Sequence, residues 1–128
     1  MKAPYWLTRD ECLALHDMML SQYGGILGLR DANMLESALA KPRQLFNYGQ
    51  PTMAELAAAY AAGIVRNHPF LDGSKRTGFM MGAGFLERNG LECVASETEA
   101  ALRTLALAAG ELPEPAYADW LKENSRSA

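Results

Sequence analysis

The sequence predicts an all-α protein, a single bundle of about six helices around a buried central helix, and three observations carry that reading. Helix-start signatures, in which a hydroxyl precedes a glutamate at capping-box spacing, recur at Thr8–Glu11, Thr52–Glu55 and Ser96–Glu99. An uncharged run from Thr77 to Leu86 places Phe79, Met80, Met81, Phe85 and Leu86 in several helical directions, and a helix that is apolar all round is buried. A chain of 128 residues with 49% hydrophobic content suits one domain over residues 1–128, burying roughly two thirds of its unfolded surface.

The elements follow in order. The first helix runs from about Arg9 to Gln22 and stops at Tyr23-Gly24-Gly25, since glycine takes the left-handed conformation that helix ends favour. Asp31 caps a second helix, which Pro42 ends near Ala40 by removing an N–H and crowding the preceding turn. Arg43 to Pro51 reads as irregular chain or a short β-flap. Thr52 opens a third helix whose Leu56, Tyr60, Gly63 and Ile64 keep a helical pattern to about Asn67. Thr77 to Leu86 is the expected central helix. Its Gly78, Gly82 and Gly84 would each cost about 1 kcal/mol against alanine in an exposed helix, so they predict closely approaching backbones. Asn89-Gly90 closes it, and Ser96 opens another helix to about Ala109. Pro113 and Pro115 bracket a turn before a last amphipathic piece, Ala116 to Lys122, and the tail Glu123 to Ala128 is expected to fray.

Composition narrows the function. A net charge of −3 argues against a protein that coats nucleic acid, which needs a basic balance, so clustered cations must serve a local site. Cys12 and Cys93 have neither close spacing nor a metal pattern and read as buried thiols of a reducing cytoplasm. The longest uncharged runs, Leu56 to Val65 and Thr77 to Leu86, are too short to span a bilayer, and the start MKAPYWLTRDE lacks a long apolar signal segment. The expectation is a cytoplasmic protein without membrane or direct nucleic-acid contact.

The chemistry concentrates in His68-Pro69-Phe70-Leu71-Asp72-Gly73-Ser74-Lys75-Arg76. Pro69 disfavours helical geometry at His68, which therefore sits just past one helix and a few residues before the next. Histidine titrates near neutral pH and can take a proton from a hydroxyl; a carboxylate such as Asp72 can hold magnesium, with phosphate oxygens completing the shell. Lys75 and Arg76 break a local rule, because unsatisfied N–H groups and the helix dipole already make a helix start positive. A bound polyanion meeting both cations and the N–H groups would resolve that conflict. Ser74 by itself reads equally well as the N-cap of the buried helix. His16, in the first helix, shares none of this context and reads as structural or exposed.

The run resembles the signature of the Fic/Doc superfamily, whose Fic branch reads H-x-F-x-[D/E]-G-N-G-R-x-x-R and whose death-on-curing (Doc) branch reads close to H-x-F-x-D-[A/G]-N-K-R. His68, Phe70, Asp72, Gly73, Lys75 and Arg76 match the second form. Lys75 stands where the Fic branch has glycine, and Phe79 where it has a second arginine; both departures favour the Doc branch. The resemblance extends upstream through Leu15-His16-Asp17, Tyr23-Gly24-Gly25, Gly28-Leu29-Arg30-Asp31 and Leu35-Glu36-Ser37-Ala38-Leu39 to Pro42.

That resemblance implies a Fic/Doc helical bundle, with a target-docking flap near residues 43–51, and assigns roles. His68 is the implied general base, Phe70 the apolar anchor of the loop and Asp72 the magnesium ligand. Lys75 and Arg76 are implied phosphate contacts, joined by the backbone nest of Gly73, Ser74 and Lys75. Arg66 matches a Doc-branch arginine near the phosphates, although a cation near a helix C-terminus is also what the dipole favours. Ser74 replaces the motif asparagine, keeping a hydroxyl but losing the amide's two-donor fork. The implied activity is a kinase toxin that transfers the γ-phosphate of ATP to elongation factor Tu and stops translation. AMP transfer and a weakened, binding-only fold are the alternatives. The inhibitory motif [S/T]-x-x-x-E-[G/N] of many Fic proteins has no match in the chain, so the implied restraint is a Phd-type antitoxin whose C-terminal segment folds onto the toxin.

Overall fold

Capping chemistry sets most helix starts. In the computed structural model, which describes residues 3–128, the elements run α1 (Arg9–Tyr23), α2 (Ala32–Tyr48), α3 (Met53–Asn67), α4 (Ser74–Arg88), β1 (Leu91–Cys93), α5 (Glu97–Ala108), α6 (Glu114–Glu123) and β2 (Ser125–Ser127). Thr8 accepts from the Glu11 N–H at 3.2 Å while Glu11 Oε1 accepts from the Thr8 N–H at 3.0 Å, and Thr52 and Glu55 repeat the reciprocal pair. Ser96 likewise accepts from the Glu99 N–H, but Glu99 spends its carboxylate on Trp120 Nε1 of α6 at 3.0 Å, so tertiary packing takes half of that box.

The helix around which the others pack is α3, not the Thr77–Leu86 helix that polarity suggested. Every residue of α3 from Ala54 to Val65 is buried except Glu55. Its alanines leave room for neighbouring backbones. A Cβ on Gly82 would lie 3.0 Å from Ala57 O, and one on Gly78 would lie 2.7 Å from Val65 Cγ1 and 3.1 Å from Ala61 O. Across α3, a Cβ on Gly63 would meet Ala38 of α2 at 3.1 Å. The expected close approach is thus real at Gly78 and Gly82, while a Cβ on Gly84 would meet only a Leu7 side-chain methyl at 3.6 Å. The α4 start stays exposed at Lys75 and Arg76 and half-buried at Phe79 and Met80, because these residues border a cleft.

Further expectations are corrected. Pro42 does not end α2, and residues 43–48 form neither irregular chain nor a β-flap: the helix continues to Tyr48 with Pro42 inside it and buried. Interior proline costs about 3 kcal/mol, and the second half of α2 offsets it by packing on Trp6. Phe46 meets that ring edge-on at 5.7 Å between centroids, and the Arg43 guanidinium lies 5.2 Å from it. The tail does not fray. Ser125–Ser127 pairs antiparallel with Leu91–Cys93, Glu92 facing Arg126 in an ion pair at 3.1 Å. The last helix also starts earlier than expected, at Glu114, with Pro115 in its first turn, where a missing N–H costs nothing.

Cys12 is buried, and burial pushes its thiol up to about 12; Cys93 is half-buried. Among the described residues, no helix is long and apolar enough to cross a membrane.

Candidate active site

The site begins where α3 ends. His68 takes a left-handed conformation at φ 52°, the one non-glycine residue with positive φ among those described, and its N–H closes the helix on Ile64 O at 3.1 Å. Pro69 then directs the chain away. Arg30 secures this end from outside: its Nε donates to His68 O at 2.7 Å and its Nη2 to Asn67 O at 2.8 Å. The Arg30 and Asp31 N–H groups both donate to Pro69 O, and the Leu71 N–H donates to Gly28 O. Gly28 to Asp31 therefore clamps the loop that carries the site.

Beneath the loop, Phe70 is buried and lies parallel to the His16 ring, 3.8 Å between centroids. His16 Nε2 donates to the main-chain oxygen of Asp72 at 2.7 Å, which fixes its tautomer because a carbonyl only accepts. His16 is itself buried, which settles it as structural. The Asp72 carboxylate accepts from the Gly73 N–H at 2.9 Å and from the Ile26 N–H at 3.3 Å. Gly25 gives it room: a Cβ there would stand 2.8 Å from Asp72 Oδ2.

The first turn of α4 supplies the charge. Gly73, left-handed at φ 80°, is the N-cap, with no side-chain cap, so the reading of Ser74 as N-cap is corrected: Ser74 is the first helical residue. It is 2% exposed, and its Oγ lies 3.3 Å from His68 Nδ1. The Arg76 guanidinium sits over the Tyr23 ring at 4.3 Å, and Lys75 is exposed with no ion-pair partner among the described residues. This turn contains no acidic residue, so two side-chain cations and the free N–H groups act in one direction.

His68, Asp72, Gly73, Ser74, Lys75 and Arg76 line one cleft of about 890 Å³. Its walls come from Met18, Met19 and Tyr23 of α1, Phe79 and Met80 of α4, and the face of α5 from Glu97 to Leu105. Phe70 sits beneath it as an anchor. Arg66 is not brought to the cleft: it is exposed and pairs with Glu114 of α6 at 3.4 Å. His16, Arg30 and Tyr23 shape the site without having been read as site residues. The signal available for them was their place in the upstream segments that share the resemblance.

The arrangement can hold a polyphosphate at the α4 start and present a histidine to an incoming hydroxyl. Asp72 and Glu97 are the carboxylates lining the cleft, and among the described residues no three His, Cys, Asp or Glu side chains form a metal cluster.

Comparison with known proteins identifies the family. Residues 6–86 match the Fic/DOC family. The chain is 33% identical to "Protein kinase doc" of Escherichia phage P1 over 117 residues, covering 91% of this chain and 92% of the relative. It is 38% identical to "Toxin Doc" of Mycolicibacterium smegmatis over 93 residues, covering 70% of this chain and 68% of that relative. The matched stretch contains both the clamp from Gly28 to Asp31 and the whole run from His68 to Arg76, and on this ground the chain belongs to the Fic/Doc family.

Proposed function

We propose that this protein is a Doc-like toxin that transfers the γ-phosphate of ATP to a threonine or serine hydroxyl of elongation factor Tu in the cytoplasm, and so stops translation. The observation that carries the reading is the convergence on one cleft of His68, Asp72, Lys75 and Arg76 at the N-terminus of α4. The kinase named among the relatives supports phosphoryl transfer. So does Phe79, which reaches toward Trp120 of α6 at 6.2 Å where the Fic branch would carry a second arginine.

In this reading His68 takes the proton of the acceptor hydroxyl as its oxygen bonds to the γ-phosphorus, and the bond to the β-phosphate oxygen breaks to release ADP. Lys75, Arg76 and the N–H groups of the α4 start hold the phosphates and offset the charge that develops. Phe70 keeps the loop in place from below. Asp72 fits a magnesium ion: it lies at the cleft, and each carboxylate oxygen accepts one N–H and keeps a lone pair, while magnesium needs one or two carboxylates besides phosphate and water. When bound, magnesium would neutralise charge on the phosphates. Arg66 belongs to the phosphate set only with a change of partner from Glu114.

A Phd-type antitoxin is the proposed restraint. The cleft walls combine apolar side chains, among them Met18, Met80 and Leu105, with cations at one end, which suits an amphipathic segment that folds as it binds.

Incubation of the antitoxin-free protein with elongation factor Tu, magnesium and ATP labelled at the α or the γ position tests the reading. Transfer of γ label supports it. Transfer of α label replaces it with AMP transfer, and no transfer by a folded sample leaves a binding-only fold.

A further inference from the structure

We infer that Ser74 is a positioning residue that decides which ring nitrogen of His68 carries the proton, and that a phosphate bound at the start of α4 reverses that decision. The inference rests on the phosphoryl-transfer reading above. It begins from the 3.3 Å contact between Ser74 Oγ and His68 Nδ1. Gly73 occupies the N-cap, so the Ser74 hydroxyl is not used to cap the helix. It has no other hydrogen-bond partner among the described residues, yet Ser74 is 2% exposed and borders the cleft.

A hydroxyl has one hydrogen to give, and a neutral imidazole has one donor and one acceptor nitrogen. With the cleft empty of phosphate, the acceptor facing the Ser74 hydrogen is His68 Nδ1. The hydroxyl donates to it, and the ring proton resides on Nε2. In that state Nε2 is a donor and cannot accept a proton from a substrate hydroxyl.

A phosphate oxygen beside Lys75 and Arg76 changes the competition, because an anionic acceptor makes the stronger hydrogen bond. The Ser74 hydroxyl turns its hydrogen to the phosphate and presents a lone pair to Nδ1. The ring gives its Nε2 proton to water and takes one from water at Nδ1, with no net change in charge. Nε2 is then bare and serves as the base. His68 is exposed, so exchange with water is open to it. A hydroxyl can make this turn because its hydrogen rotates; the amide of the motif asparagine has its donors and acceptor fixed in one plane. The base is therefore armed only once phosphate is in place.

The test is long-range proton–nitrogen NMR on the whole protein labelled with ¹⁵N-histidine, at a pH where both rings are neutral. The chain has two histidines, and His16, held to Asp72 O, is an internal reference that stays protonated on Nε2 throughout. Free protein is expected to show His68 mainly as the Nε2–H form. Saturation with magnesium and the β,γ-imido analogue of ATP is expected to make the Nδ1–H form predominate. Ser74→Ala should abolish the response and Ser74→Thr restore it. If the backbone amides from Gly73 to Arg76 shift with nucleotide but the His68 tautomer does not change, the inference fails and the phosphoryl-transfer reading stands. If the amides do not shift either, both fail. The wild-type comparison decides even where a variant does not fold. Kinetics give a second readout: Ser74→Ala should lower kcat by about tenfold or more while leaving the KM for ATP little changed. A raised KM with unchanged kcat would instead make Ser74 a phosphate ligand alone.

Discussion

His16 Nε2 stands 2.7 Å from the main-chain oxygen of Asp72, joining α1 to the candidate-site loop across 56 positions of sequence. With its ring stacked on Phe70, this buried histidine fixes both the depth of the loop and the direction of the Asp72 backbone. Replacement by phenylalanine keeps the stack and removes the donor. His16→Phe is expected to cost about 1–3 kcal/mol, the range for losing a buried hydrogen bond, and to lower phosphoryl transfer. Urea unfolding reads the first effect and labelled-ATP transfer the second. A variant as stable and active as the parent would show that the bond positions nothing.

The strained backbone at His68 predicts opposite effects on stability and activity. A non-glycine residue in the left-handed region carries a penalty of about 1–2 kcal/mol, partly offset in a glycine variant by its freer unfolded chain. His68→Gly should therefore gain up to about 1 kcal/mol in stability while losing transfer altogether. Equal or lower stability on denaturation would mean that the ring contributes more by packing than the backbone loses by strain.

Contact between α3 and α4 predicts a large effect from a single methyl. A Cβ on Gly78 would lie 2.7 Å from Val65 Cγ1 and 3.1 Å from Ala61 O, and the backbone oxygen cannot yield cheaply. Gly78→Ala should destabilise by about 1–3 kcal/mol despite alanine's better helix propensity. Gly84→Ala, where a Cβ meets a flexible methyl at 3.6 Å, should be neutral or stabilising. A reversed order of melting temperatures for the two variants is the contrary result.

Acid should loosen the join between the α1 start and the α4 end. Burial acts to raise the Glu11 carboxyl, but the Thr8 N–H, the Arg88 guanidinium and the Thr8 hydroxyl together hold it below its ordinary 4.5. Glu11 and Arg88 also form an ion pair. Because the folded form holds the proton less tightly, the unfolded chain binds more protons between the two values. The Glu11 contribution is thus fully present above 4.5 and is lost as pH falls through the lower, folded value. Unfolding free energy followed down the pH scale should drop more steeply for the parent than for Glu11→Gln, and parallel acid limbs would contradict this.

Local chemistry made much of the fold legible. The Thr8 and Thr52 boxes need only neighbours in sequence, and both form as written. The stop at Gly24 and the need for backbone contact at Gly78 and Gly82 follow from single-residue properties in the same way. The tight spacing from His68 to Arg76 made a candidate site visible before any coordinate, since residues that close cannot be placed far apart.

By itself, then, the sequence determined the helical class, most helix starts and the run that forms the candidate site, because caps, glycine and proline act within a few residues. Tertiary structure alone decided the rest, where distant partners outweigh local preference. Packing on Trp6 carried α2 through Pro42, and pairing with Leu91–Cys93 ordered a polar tail. Alanine-rich α3 took the centre in place of the more obviously apolar α4, since small side chains let helices approach on every side. Arg66 found Glu114 outside the cleft, and Arg30 and His16 arrived from elsewhere to hold the loop. Ser74 gained its partner the same way. Its type suggested a cap, but a left-handed Gly73 took that position and left the hydroxyl facing His68.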